Sequence, residues 1–461
     1  MTHSHARSHP RPLAAWVVLG LFAGLVALLG GSSRPDAIQI VALRPLAALF
    51  LAPVLYFFAW PHFRDLRVPF LLLVALTVLM ALQLVPLPPG VWQALPGREP
   101  IVELDAALGI SDAWRPLSMV PSRTLNSLAA MIVPLTGLAL VAVLRIRRRA
   151  LLYTVVAIGA ASATIGLLQI AGGDALYLYE IANRGSPIGF FANRNHAAVL
   201  CAMTLVTIVY LMTAPDFGRR PPWHNILLGT LAALVLLAGL VSGSRAGLLG
   251  LTLALAASVG LFWARHVRRD RARDADAREM PATLGRRIAL ALGIAAVVGV
   301  VALFFLFDSI PALERLSEKG LADGMRRDLA PILLEMIGRY GLAGSGFGSF
   351  EEVYHISEPA ALMLPSYVNQ AHNDWAQWVI EGGLPAVAIA VVFLVWFAGA
   401  LRAVFRGRHG FVRGVHWASL AAILISASLV DYPLRTPLFQ LVAVLLLAAL
   451  CREQRHARDG Y

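Results

Sequence analysis

Apolar runs of about 18–25 residues recur along the 461-residue chain, each long enough for a membrane-spanning helix. They fall near 12–30, 38–59, 68–86, 124–144, 150–171, 195–214, 225–243, 246–264, 288–307, 375–401, 416–431 and 434–451. The pattern predicts an all-α polytopic membrane protein of about 12 transmembrane helices, one integral-membrane domain over 1–461. At Ser242–Arg245 and Asp431–Pro437 so few polar residues separate two runs that only a tight turn fits.

The longest polar interruption extends from Asp308 to about Gly383. Its first part, 308–374, reads as a large, partly helical loop on the outer side of the membrane. Leu329, Ile332, Leu333, Met336 and Ile337 recur there at helical spacing, so Met325–Tyr340 is predicted as an amphipathic helix opened by Arg326 and Arg327. Gly344, Gly346 and Gly348 in GSGFGSF read as a tight turn. No strand–helix alternation surrounds them, which excludes a dinucleotide fingerprint. The Pro-rich, aromatic stretch 87–123 is either a cap over a site or a solvated connector.

Arginine placement fixes an expected orientation. With the N-terminus cytoplasmic, the loops HFRDLR, RIRRR, FGRRPPWH and RAVFRGRHGFVRGVH, the basic loop 265–287 and the C-terminal tail all fall inside. Both termini are then cytoplasmic, and 87–123, 172–194, 242–245, 308–374 and 431–437 lie outside. The first run follows Arg7 and Arg11 and is longer than a signal-peptide core, so it reads as an uncleaved anchor.

Composition narrows the class further. The chain is 58% hydrophobic and 14% charged, with mean hydropathy +0.69. Its net charge of +12 is nearly all arginine, Lys319 being a lysine. Because the arginines punctuate apolar runs, membrane orientation explains them and no nucleic-acid partner is expected. Cys201 and Cys451 are expected near opposite faces, too far apart for a disulfide. No metal-ligand spacing or cofactor motif is present, so neither metal nor cofactor is expected.

The residues with chemical potential collect on the outer side. Arg245 lies among the small residues Ser242, Gly243, Ser244 and Gly247, which leave a guanidinium accessible. Its plainer role is a bilayer-edge anchor. Arg194 lies between Asn193 and Asn195, with His196 next, where a helix enters from outside. Asparagine caps helices, and a capped helix start also offers N–H groups to an anion. Arg326 and Arg327 either sit at lipid headgroups or grip diphosphate oxygens, for which arginine is suited. His372 precedes Asn373 and Asp374, either of which can cap the following helix. Neighbouring cations would keep its imidazole neutral, as a general base requires. Glu381, inside that helix, is expected to pair with an arginine in the bundle. Arg435 completes the outer arginine set, either as substrate ligand or as turn anchor. Arg44 either faces the interior or snorkels.

These residues resemble the O-antigen ligase and polymerase superfamily of bacterial envelopes, over roughly Gln83 to Leu450. The strongest element is GSGFGSFEEVY followed by HNDWAQWVIEGGLP. It is similar to the family's glycine-rich turn and its histidine motif, in which His372, Asn373 and Gly383 fit and Ala386 departs at the last position. ANRNHAA, SGSRAGLL, the arginine before the amphipathic segment, LQLVPLPPGVW and SLVDYPLRTPL support it. Ala330 stands where the family usually has tryptophan, leaving Arg326 and Arg327 as alternatives for the family arginine.

The resemblance implies a GT-C-like glycosyltransferase of the bacterial inner membrane with a periplasmic active site. The donor would be a glycan on undecaprenyl diphosphate. The acceptor would be a second glycan (polymerase), lipid A–core (ligase) or a protein hydroxyl (O-oligosaccharyltransferase). His372, Arg245 and Arg326 would be catalytic. Arg194, Asn193, Asn195, Arg327, Arg435 and Asn373 would bind substrate, with membrane lipids around them and inversion at the anomeric carbon. A lipid-linked sugar flippase also needs a basic cavity, but would place ionisable residues near mid-bilayer and often shows pseudo-repeats. A scaffold of an envelope assembly complex is the third reading.

Overall fold

The computed structural model describes residues 12–214, 217, 221–274, 319–362, 368–407 and 409–458. Among these, nine helices are long and apolar enough to cross a membrane. Two shorter apolar helices, Leu13–Leu29 and Arg67–Leu82, correspond to the first and third apolar runs. The run at 288–307 lies outside the described residues, as do 275–287 of the basic loop and 308–318 of the outer loop.

Several boundaries differ from the apolar runs for local reasons. The expected loop at 265 is helix as far as Asp274, because the charged RHVRRDRARD segment contains no glycine or proline to stop it. The run at 124–144 is interrupted at Met131, between helices Pro121–Ala130 and Ile132–Val143. The run at 38–59 is interrupted at Phe50, with prolines at 45 and 53 on either side. Helix Asp374–Arg406 is kinked at Gly383, whose φ of 62° and ψ of −164° are non-helical.

Helix Arg194–Thr213 is the hub, with 94% of its spanning window buried. Helices Arg148–Gly172, Pro222–Val241, Arg245–Asp274 and Gly410–Val430 surround it. Helix Asp374–Arg406 is the opposite case, 11% buried with Val391, Val392 and Val395 turned outward, as a lipid-facing helix requires. Helices that start at Arg194, Arg245, Asp374 and Pro437 all begin at one end of the bundle.

A compact polar layer covers that end. The amphipathic stripe of helix Lys319–Tyr340 buries Leu329, Ile332, Leu333 and Met336 against Phe350, Tyr354 and Ile380. The side chains of Arg326 and Arg327 lie outside the described residues. Stretch 87–123 is held to the glycine-rich turn at Arg98 and Met119, while most of 103–112 is exposed. Its two short strands, Pro86–Leu87 and Arg115–Pro116, pair antiparallel. Met119 N–H donates to Ser345 O at 2.8 Å. Arg98, fully buried, donates to Leu117 O at 2.9 Å and Gly344 O at 2.8 Å.

Candidate functional site

The site forms where four helices begin, and three of these starts are capped by short polar side chains. Asn193 caps helix Arg194–Thr213, its Oδ1 accepting from Asn195 N–H at 2.8 Å. Ser244 caps helix Arg245–Asp274, its hydroxyl accepting from Gly247 N–H at 2.8 Å. The same hydroxyl donates to Asn195 Oδ1 at 2.8 Å, which ties the two helix starts together. Asn373 caps helix Asp374–Arg406, accepting from Ala376 N–H at 3.0 Å. Of the two cap candidates there, Asn373 takes the role and Asp374 is left for other contacts.

Asp431 joins three of these starts. It lies in the tight turn before helix Pro437–Arg458 and is 1% exposed. Its Oδ2 accepts from Asn195 Nδ2 at 2.6 Å and Asn193 Nδ2 at 3.4 Å. Its Oδ1 accepts from Tyr432 N–H at 3.0 Å. The same oxygen lies 3.7 Å from Nδ1 of His372 and 3.7 Å from Nε2 of His196. Burial alone would raise the carboxyl, but the two imidazoles outweigh it and hold Asp431 well below the usual carboxylate range.

His372 is the accessible member, its side chain 27% exposed. Its backbone is left-handed, at φ 49°, a conformation costing about 1–3 kcal/mol for a non-glycine residue. The neighbours fix it there. Ala371 N–H donates to Gln377 Oε1 at 2.9 Å, and Asn373 caps the next turn. The ring packs on Tyr432 with centroids 5.0 Å apart.

A second polar group braces the same turn. Arg435 donates from Nε to Asp374 Oδ1 at 3.2 Å and from Nη1 to Glu381 Oε2 at 2.9 Å. Glu381, fully buried, thus has the arginine partner expected of it. Burial would lower Arg435, but the two carboxylates raise it above its ordinary range. The glycine-rich turn docks behind this pair. Gly346 N–H donates to Glu381 O at 2.9 Å and Ser345 N–H to Ile380 O at 2.9 Å. Gly344, Gly346 and Gly348 have φ of 84°, 106° and 84°. A Cβ at Gly344 would lie 2.5 Å from Glu381 O, so the turn works by close backbone approach.

Of the sequence-predicted residues, Asn193, Asn195, Asn373, Arg435 and His372 are brought within this one network. Arg194 and Arg245 start the helices whose caps enter it. Arg194 N–H donates to Asn183 Oδ1 at 3.0 Å. Arg435 is engaged by carboxylates, as a brace and not as an open cation. Arg44 faces inward, donating to Asn126 Oδ1 at 2.7 Å. Sequence reasoning passed over Asp431, His196, Gln83 and Arg98 as site residues. For Asp431 a signal existed: an acid between two closely spaced apolar runs is costly and therefore functional by default.

The helices and their shared polar starts define a polytopic membrane protein with a built polar site at one end of the bundle. Residues 230–391 match the family model described as O-Antigen ligase. That span contains Arg245, the glycine-rich turn, His372 and Gly383, and it places the segment in the O-antigen ligase and polymerase superfamily. Asn193, Asn195, Asp431 and Arg435 reach the same network from outside it. A search of curated proteins found no match.

Proposed function

We propose that the protein is a membrane glycosyltransferase that moves a glycan from undecaprenyl diphosphate to an acceptor hydroxyl at the periplasmic face. The observation that carries this is His372 beside buried Asp431, at the convergence of helix starts. A partly exposed imidazole whose inner nitrogen faces a carboxylate has its outer nitrogen available as a general base. Helix starts are electropositive and suit a diphosphate leaving group.

In this scheme His372 takes the acceptor hydroxyl proton. The hydroxyl oxygen forms a bond to the anomeric carbon as the carbon–oxygen bond to diphosphate breaks. The electron pair leaves with the diphosphate, and configuration inverts. Asp431 stabilises the imidazolium that forms. Arg245 and either Arg326 or Arg327 balance the charge growing on the diphosphate. Arg194 orients substrate with Asn193 and Asn195 at the helix start. Asn373 and Arg435 hold the turn that carries His372. The acceptor is a second glycan or lipid A–core.

The test uses the full-length protein reconstituted in vesicles with a lipid-linked glycan donor. His372→Ala should lose transfer while inserting normally. Transfer near the normal rate would overturn the proposal.

A further inference from the structure

We propose that Asp431 serves two imidazoles at once, and that buried His196 is a positioning residue for His372, acting through the shared carboxylate. The inference rests on His372 as the base.

The geometry is lopsided. Both rings approach the same oxygen, Oδ1, at 3.7 Å. The other oxygen is occupied by Asn195 and Asn193. Tyr432 packs against both rings, with centroids 5.3 Å from His196 and 5.0 Å from His372. His196 is 1% exposed, whereas His372 reaches the outside.

Packing does not explain an imidazole at position 196. Its ring lies among Phe191, Tyr432 and Phe439. A phenyl ring would fill that space without burying two polar atoms. Neither nitrogen of His196 has a hydrogen-bond partner at normal distance. A buried polar group in that condition calls for a role. Catalytic hydrogen bonds are often long before substrate binds and tighten in the reacting complex. The carboxylate oxygen lies where such tightening would complete the bond.

The consequence for His372 follows from charge. An N–H of His196 directed at Oδ1 takes part of the carboxylate's negative charge. His372 then feels less of that charge than it would with His196 removed, the bonds from Asn195, Asn193 and Tyr432 to the carboxylate staying the same. Asp374 also interacts electrostatically with Asp431 and His196. Arg435 and Glu381 stand behind Asp374, while Arg194 and Arg245 start the flanking helices. All of these stay constant in the variants below.

The test compares pH–rate profiles of reconstituted wild type, His196→Phe and His196→Gln. With Phe, the acid limb of kcat should move to higher pH by about one unit. At pH 6 that is a loss of several-fold, with donor KM little changed. With Gln, an amide N–H replaces the imidazole donor and the limb should return towards wild type. A structural role would lower kcat equally at every pH, leave the limb in place, and overturn the inference. If His196→Phe does not insert, His196→Leu, which also lacks a donor, is compared with His196→Gln by the same limb. His372→Ala is run beside them: activity there removes the base itself, whereas an inactive His372→Ala with an unmoved limb in the His196 variants removes only this inference.

Discussion

Gln83 and Glu381 are 298 residues apart in sequence and meet through a hydrogen bond of 3.0 Å from the Gln83 amide to the Glu381 carbonyl. The same Gln83 side chain accepts from Phe347 N–H at 3.0 Å. One amide therefore clamps the end of an early helix to both the glycine-rich turn and the kink of helix Asp374–Arg406. Gln83→Leu keeps the volume but leaves the Phe347 N–H unmet, while the Glu381 carbonyl keeps its bond from Gly346 N–H. It should cost about 1–3 kcal/mol, seen as a lower Tm in detergent.

Removal of His372 should be more selective. General bases contribute about 10²–10⁴-fold, so His372→Ala should lower kcat by that factor. The measurement is glycan transfer per molecule of correctly inserted protein.

The Arg435–Glu381 pair should show the penalty of a stranded buried charge. Arg435→Leu alone leaves Glu381 unpaired in the bundle and should destabilise by about 3–5 kcal/mol. The double variant Arg435→Leu with Glu381→Leu should recover part of that loss. A double variant less stable than the single one would show that the pair matters through Asp374 instead.

The glycines separate shape from strain. At Gly383, with φ 62°, an added Cβ would lie 2.6 Å from the Ala343 carbonyl carbon. At Gly243, with φ 61°, nothing lies within 4 Å. Gly243→Ala should cost only the left-handed penalty of about 1–2 kcal/mol. Gly383→Ala should cost clearly more, because backbone must move, and should also lower activity. Thermal unfolding of both variants in one detergent gives the ranking.

Acid should act through Asp431. Its folded pKa lies below the ordinary value of about 3.9, so its contribution to stability is present above that pH and lost as pH falls through the folded value. Asp431→Asn should therefore lower Tm at pH 7. The wild-type and variant curves should converge as pH falls below about 4. A constant offset across the range would contradict the sign.

The elements were more legible in the sequence than the joins between them. Helix positions were legible because a spanning helix needs an unbroken apolar run, and such runs are visible without any partner. The breaks at Met131 and Phe50 were hidden because the apolar residues continue across them. The glycine-rich turn could be recognised as a turn, but not as a backbone wedge against Glu381, since its partner lies some way along the chain. Asn193 and Asn373 were legible as caps by residue type, whereas Asn195 lies within its helix and bonds Asp431 and Ser244 instead. The role of His196 was not legible, because its meaning lies in converging with His372, from a separate helix start, on one Asp431 oxygen. Arg98 looked like any loop arginine until its carbonyl acceptors were in view.

Asp431 sits in the turn before the last described helix, whereas His372 precedes it by a whole hairpin. A ribosome still threading Pro437–Arg458 into the bilayer has thus delivered an imidazole without a fixed carboxylate beside it. Under the proposed mechanism, a chain stopped before Asp431 would hold the imidazole without its carboxylate partner, and transfer would wait until the turn before Pro437–Arg458 is in place.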